Sequence, residues 1–361
     1  MAWSTGTSTD WQDLLDDLRA AAIATTDWTT DRYDTSVGGD SNVDEWIAHG
    51  DGGGSDEIYV GIRTFYDSSA DARNWELAGM TGYDNGLGFG NQPGISPGRY
   101  DGAGDAQYGA YLPLQNTTIS YWFSITSRRI IVVAKCGTTY EPMVLGWGNP
   151  FGTSAEYPYP MVVAGSTPVF DTRFNSSRVA HSGLADPQGY SVGGDKAGPM
   201  LVRDPGGTWR SIMNAVEGTS NSRSVRNDRV VFPAGRPSLT ASILPDEADR
   251  FVLVNSAVLA SIDIIPQSGV PGTQTVKLYK TDDSGGDLAP LFPATVIMAP
   301  DDVEHLIAME LPDIFWLSAA PGQTDGGINS EDTITIGGDT YHVFQSANRT
   351  EDYAYFAVKE V

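Results

Sequence analysis

The sequence predicts a mainly β fold, built of sheet-based, sandwich-like lobes with one N-terminal amphipathic helix. Three observations carry this. Gly at 41 and Pro at 21 make the 361-residue chain rich in turns. Short apolar runs of β-branched and aromatic residues recur between those turns from residue 56 onward. Only one segment, near the start, has the 3.6-residue periodicity of a helix.

That helix is expected over residues 9–22. Thr9 followed by Gln12 fits a capping box, and Trp11, Leu14, Leu15, Leu18 and Ala22 fall on one face. Asp10, Asp13, Asp16 and Asp17 crowd its first turns, where the helix dipole favours negative charge. The apolar stripe needs a partner, either this chain's core or a neighbouring subunit that the helix would clamp. Residues 25–54 are polar, with Trp28 and Trp46 as anchors, so residues 1–55 read as a helix and polar arm.

The β region follows. Ile58–Phe65 and Trp75–Met80 read as paired strands, and residues 81–111 as a long surface loop without an apolar run. Residues 117–135 form an expected buried hairpin with Arg128 and Arg129 in its turn, continued by a strand from Glu141 to Trp147. Tyr157-Pro158-Tyr159-Pro160 suggests extended, polyproline-like geometry. Further strands are expected at Thr208–Ile212, Arg229–Pro233, Phe251–Val254 and Ala257–Ile265. Thr333–Ile336 and Thr340–Phe344 flank Gly337-Gly338-Asp339 as a tight hairpin, with Tyr353–Val358 closing the fold. The organisation predicted is 1–55, a β-rich domain over 56–245, and a C-terminal β-rich lobe over 246–361.

Charge limits the partners. Asp and Glu total 46 against 22 Lys and Arg, giving a net charge of −24. Such a surface repels nucleic acid and anionic membranes. Only five of the basic residues are lysine. Abundant carboxylates and scarce lysine suit a salt-adapted source, where screening shortens the reach of self-repulsion; the alternative is an ordinary acidic surface. No apolar run is long enough to span a bilayer, and the first residues lack the pattern of a secretory signal. The single cysteine, Cys136, reads as a buried hydrophobe in a strand.

Motifs with chemical meaning are weak. Gly94-Ile95-Ser96-Pro97-Gly98 matches the nucleophile-elbow pattern but lacks the strand before it and the helix after it. His49, His181, His305 and His342 have no zinc-ligand spacing. No cofactor is expected. The acidic Gly clusters 51–56 and 101–105 are candidate Ca²⁺ sites, but neither fits an EF-hand loop. Carboxylate pairs are too abundant to specify a glycosidase. Asn116, Asn175 and Asn348 stand in glycosylation acceptor patterns that arise often by chance. Aromatic and apolar groups suited to anchor subunit contacts are Trp11, Leu14, Leu18, Trp147, Phe151, Tyr157 and Tyr159.

Five segments together resemble a known group of proteins. They are Glu57–Thr64, Ile119–Phe123, Arg128–Lys135, Tyr157–Pro160 and Ile336–Gln345. These resemble virion structural proteins of tailed bacteriophages and related prophages, over residues 56–361 and most weakly between 170 and 330. The resemblance implies a non-enzymatic part of the tail, tail tip or neck. It would contact other virion proteins and copies of itself, with a host surface receptor as a further partner. The acidic composition departs from that group and points to a haloarchaeal tailed virus. Expectations are a tail-tip or baseplate component located in the virion. A neck or collar protein, a receptor- or glycan-binding module and a cell-surface polysaccharide hydrolase are the alternatives.

Overall fold

A computed structural model describes residues 1–54, 56–68, 72–98, 109–166, 200–212, 239–240, 250–255, 275–276, 291–301, 304–317, 329–345 and 355–361. The fold is mainly β with a helix near the N-terminus, as the sequence predicts, and the described residues form three large antiparallel sheets and one α-helix. The expected strands at 229–233 and 257–265, and the expected boundary at 245/246, lie outside the described residues.

The first sheet is a five-stranded meander of Trp28–Asp34, Glu45–Gly50, Ile58–Asp67, Ala72–Met80 and Ala110–Leu114. The second has seven strands in the order Ala2–Ser8, Ile119–Ile125, Arg129–Cys136, Thr139–Trp147, Met161–Ala164, Met200–Arg203 and Trp209–Ile212. In the third, Arg250–Asn255, Leu291–Asp301, Glu304–Leu317, Tyr355–Lys359, Asp339–Gln345 and Thr333–Ile336 lie side by side. Asn149–Pro150, from the end of the second sheet, pairs with Glu310 and Met309 of the third. A two-residue ladder joins Leu239–Thr240 to Thr275–Val276.

The second sheet is central because both of its faces are covered. Ile130, Val132 and Ala134 point into one large core with the helix and the first sheet. Ile131 and Val133, on the opposite face, are equally buried. On that opposite side Trp122 meets Phe344 of the third sheet edge-on at 5.0 Å. Burial on two faces explains why Ile130–Ala134 is continuously apolar rather than alternating.

The helix spans Trp11–Ala24, and its N-cap is Asp10, one residue later than the capping box suggests. Asp10 accepts hydrogen bonds from the Gln12 and Asp13 amides, both at 2.9 Å. Asp13 reaches back to the Thr9 amide at 2.7 Å. A short carboxylate at the cap and another in the first turn thus satisfy the free amides at the helix start. Leu14, Leu15 and Leu18 are fully buried between the first and second sheets. Each such side chain stabilises the fold by roughly 1.5–3 kcal/mol. Trp75 Nε1 donates to the Trp11 carbonyl at 2.8 Å, fixing the helix to the five-stranded sheet.

The N-terminal segment therefore differs from the helix and polar arm expected. Ala2–Ser8 pairs with Ile119–Ile125, and Glu45–Gly50 pairs with Ile58–Arg63. The 55/56 boundary falls inside a sheet. The helix is an internal layer of the sandwich, which corrects the reading of it as a clamp on a neighbouring subunit.

The expected surface loop at 81–111 also differs. Its last residues form the Ala110–Leu114 strand, and Phe89 packs into a second cluster with Ile47, Ala78 and Met80. Gln92 is buried. Its side chain accepts from the Asp84 amide at 2.8 Å and donates to the Asp84 and Leu87 carbonyls. One buried amide side chain thus holds residues 84–88 in place.

Candidate functional site

Two arrays of polar groups stand out among the described residues: a seam between the central and third sheets, and a ladder across the outer face of the five-stranded sheet.

At one end of the seam, Arg129 begins its strand rather than sitting in the preceding turn. Its Nε lies 3.6 Å from the Asp313 carboxylate, and its Nη2 donates to Asn149 Oδ1 at 3.1 Å. Asp313 occupies an irregularity of the Glu304–Leu317 strand and has a left-handed backbone, φ +75°. Burial, outweighing the attraction of Arg129, raises the Asp313 carboxyl above its ordinary value. Burial likewise lowers Arg129. Desolvation thus disfavours the charged form of each half, the cost that a buried ion pair carries.

At the other end, Lys135 pairs with Glu331, and Tyr140 donates to the same carboxylate at 2.7 Å. These two hydrogen bonds, Lys135 first, hold Glu331 below the ordinary carboxylate range. Between the ends, Ser124 donates to the Lys359 carbonyl at 3.0 Å. Trp3 stacks on His342 at 4.2 Å, and His342 Nε2 lies 3.0 Å from Glu360.

The ladder follows cross-strand register. Glu45 faces Arg63, Arg63 faces Glu76, and Glu76 faces Tyr111 on successive strands. Glu45 lies 3.4 Å from Arg32 and 3.3 Å from Arg63. Burial, exceeding the effect of both arginines, raises the Glu45 carboxyl. Tyr111 donates to Glu76 at 3.3 Å. Alternating signs opposite one another stabilise a sheet face. Asn74 lies two residues from Glu76, fully buried, with both amide atoms unpartnered. Glu76 and Tyr111 are also buried.

Of the seven expected contact residues, the structure turns five into the chain's own interior. Trp11, Leu14, Leu18 and Trp147 belong to the main core, and Tyr157 is buried with its hydroxyl donating to the Arg203 carbonyl at 2.6 Å. Tyr159 is half-buried, meeting Trp147 edge-on at 6.0 Å and lying under Arg203. Phe151 is 61% exposed. It precedes a tight turn in which Thr153 donates twice to Glu156, and the Tyr157 amide bonds back to the Thr153 carbonyl at 2.9 Å. That turn replaces part of the extended geometry expected from the flanking prolines.

The remaining motifs have structural partners. Ser96 is buried, and its amide and hydroxyl bond the Gly79 carbonyl and amide, so it staples a loop to a strand. His49 Nδ1 lies 2.9 Å from Asp31. In the acidic Gly cluster 51–56, Asp51 accepts from the Gly53 amide and Asp56 pairs with Arg128 at 3.0 Å. No group of three or more His, Cys, Asp or Glu among the described residues is placed to hold a metal ion. The 101–105 cluster, His181 and the side chain of His305 lie outside the described residues. Cys136 is buried, as expected. No helix among the described residues is long and apolar enough to cross a membrane.

Sequence reasoning missed the seam and the ladder. Arg129 and Asp313 carry no mutual signal in sequence, whereas Glu45, Arg63 and Glu76 could have been aligned had Glu45–Gly50 been recognised as a strand. Searches of protein-family models and of curated proteins gave no match to this chain.

Proposed function

We propose that this protein is a structural component of a tailed virus particle, assembled with copies of itself and other virion proteins, most consistently at the tail tip or baseplate. One observation carries the reading: four of the five segments that resemble tailed-phage virion proteins lie in strands that frame the molecule. Ile119–Phe123 and Arg128–Lys135 are central-sheet strands covered on both faces, Glu57–Thr64 is in the five-stranded sheet, and Ile336–Gln345 is the outer hairpin of the third. Resemblance concentrated in frame elements suits a part whose work is shape and contact. Several described charged groups support this, since they pair with one another across layers and strands. The surplus negative charge fits assembly in concentrated salt, where repulsion between copies is screened.

The test is mass spectrometry and labelling of purified particles produced by the virus or prophage that encodes the chain. The protein should co-purify with particles in fixed stoichiometry and label the tail. Its absence from intact particles would overturn the proposal.

A further inference from the structure

Thr333–Ile336 is the outermost strand of the third sheet. It joins Asp339–Gln345 through Gly337 and Gly338, whose φ values of +65° and +98° suit a two-residue hairpin turn. Such a turn makes Ile336 and Asp339 a hydrogen-bonded pair, and alternation makes Ile334 and Tyr341 the next. The ladder continues in that phase, with the Val343 amide donating to the Asp332 carbonyl at 2.9 Å. The main-chain N–H and C=O of Thr333 and Thr335 therefore point away from the sheet. No strand among the described residues lies on that side.

Three other edges are defended against pairing. Trp28–Asp34 has a register shift and carries Asp31, Arg32 and Asp34. Ala110–Leu114 contains Pro113 and is bridged by Ser166. Ala2–Ser8 is mostly half-buried and interrupted by Gly6. Thr333-Ile334-Thr335-Ile336 has no charge, proline or bulge, and Ile336 is 44% exposed.

We propose that this edge pairs antiparallel with the same edge of a second copy, about a two-fold axis at Ile334. Only Thr333 and Thr335 offer outward groups, so Thr333 must exchange hydrogen bonds with Thr335 of the second copy, and the reverse. Four main-chain hydrogen bonds result, with the two Ile334 side chains facing each other. Charge selects the same register, because Glu331 and Asp332 then oppose Gly337 and Ile336. Setting Thr335 against Thr335 would instead place Glu331 opposite Asp339. Setting Thr333 against Thr333 would leave fewer outward groups matched. A self-complementary edge forms a closed two-fold contact. The inference deepens the structural role above and rests on it for the presence of many copies.

The full chain in concentrated salt tests this through single cysteine variants, the native Cys136 being buried. Facing, non-hydrogen-bonded residues bring their Cα atoms to about 4.5 Å, within disulfide reach. Under mild oxidation Ile334→Cys should give at least about tenfold more disulfide dimer than Thr335→Cys alone, whose opposite residue is Thr333. Mixing Thr333→Cys with Thr335→Cys should restore cross-linking. Thr335→Pro removes only an outward amide, so it should abolish self-association in light scattering while retaining the melting transition. Equal dimer yields from Ile334→Cys and Thr335→Cys, or a folded Thr335→Pro that self-associates like the wild type, would overturn the pairing. Cross-linking by a chain absent from particles would overturn the virion role alone. Particle-borne copies of Ile334→Cys that do not cross-link would overturn the edge alone.

Discussion

Arg129 of the central sheet and Asp313 of the third sheet meet 3.6 Å apart across the seam, each displaced by burial toward its neutral form. Breaking such a pair leaves a buried charge alone, whereas removing both members does not. Asp313→Asn, which tolerates the left-handed backbone, should destabilise the protein by about 3 kcal/mol. The double variant with Arg129→Met should recover most of that loss. Chemical denaturation of the four proteins in one salt buffer measures both effects, and strict additivity would show that the pair is not coupled.

The seam also makes opposite contributions to pH dependence. Asp313 is raised, so the folded state holds its proton more tightly than the unfolded chain does. Its contribution is most favourable below its ordinary value of 3.8 and falls as pH rises through its folded value. Glu331 is lowered, so its contribution is present above its ordinary value of 4.5 and lost as pH falls through its folded value. Stability profiles of Asp313→Asn and Glu331→Gln should therefore diverge from the wild type in opposite directions across the acid range. Divergence in the same direction would contradict the assigned shifts.

The helix is core. Leu18→Ala should cost about 2–5 kcal/mol, as for other fully buried leucines. Deleting residues 1–25 removes the Ala2–Ser8 strand together with the helix and should abolish cooperative unfolding, read by thermal circular dichroism. A deletion that melts like the full chain would place the helix outside the core.

Phe151 tests surface contact separately from folding. Because it is exposed, Phe151→Ser should change stability by no more than about 0.5 kcal/mol. If the ring anchors a neighbouring virion protein, incorporation into particles should fall while the melting temperature stays constant.

Salt should stabilise the chain. A net charge of −24 repels itself, and the screening length shrinks from about 10 Å at 0.1 M salt to roughly 3 Å at 1 M. Each kcal/mol of relieved repulsion raises the melting temperature by roughly 2 °C in a chain of this size. A scan from about 0.1 M to 3 M KCl should therefore show a steady increase. A flat profile would remove the salt-adaptation reading.

What was legible in the sequence divides along burial. Ile58–Phe65 with Trp75–Met80, the hairpin spanning 119–136, and the Gly337-Gly338 turn all announce themselves by apolar content or turn chemistry. Ala2–Ser8 and Trp28–Asp34 do not, because they are edge strands whose polar outer faces resemble loop sequence. Glu45–Gly50 hides its pattern because Glu45 is buried within a charge ladder, a choice that only the neighbouring strands explain. Five of the seven expected contact residues illustrate the converse error: apolar stripes marked strong packing, but nothing in their spacing distinguished an internal layer from a subunit surface.

A density map of the purified particle tests the account most directly. It should contain this three-sheet fold in the tail region, repeated by the particle's symmetry and touching its neighbours through outer surfaces. Particles complete without it, alongside a free monomer that turns over an envelope polysaccharide, would contradict the account.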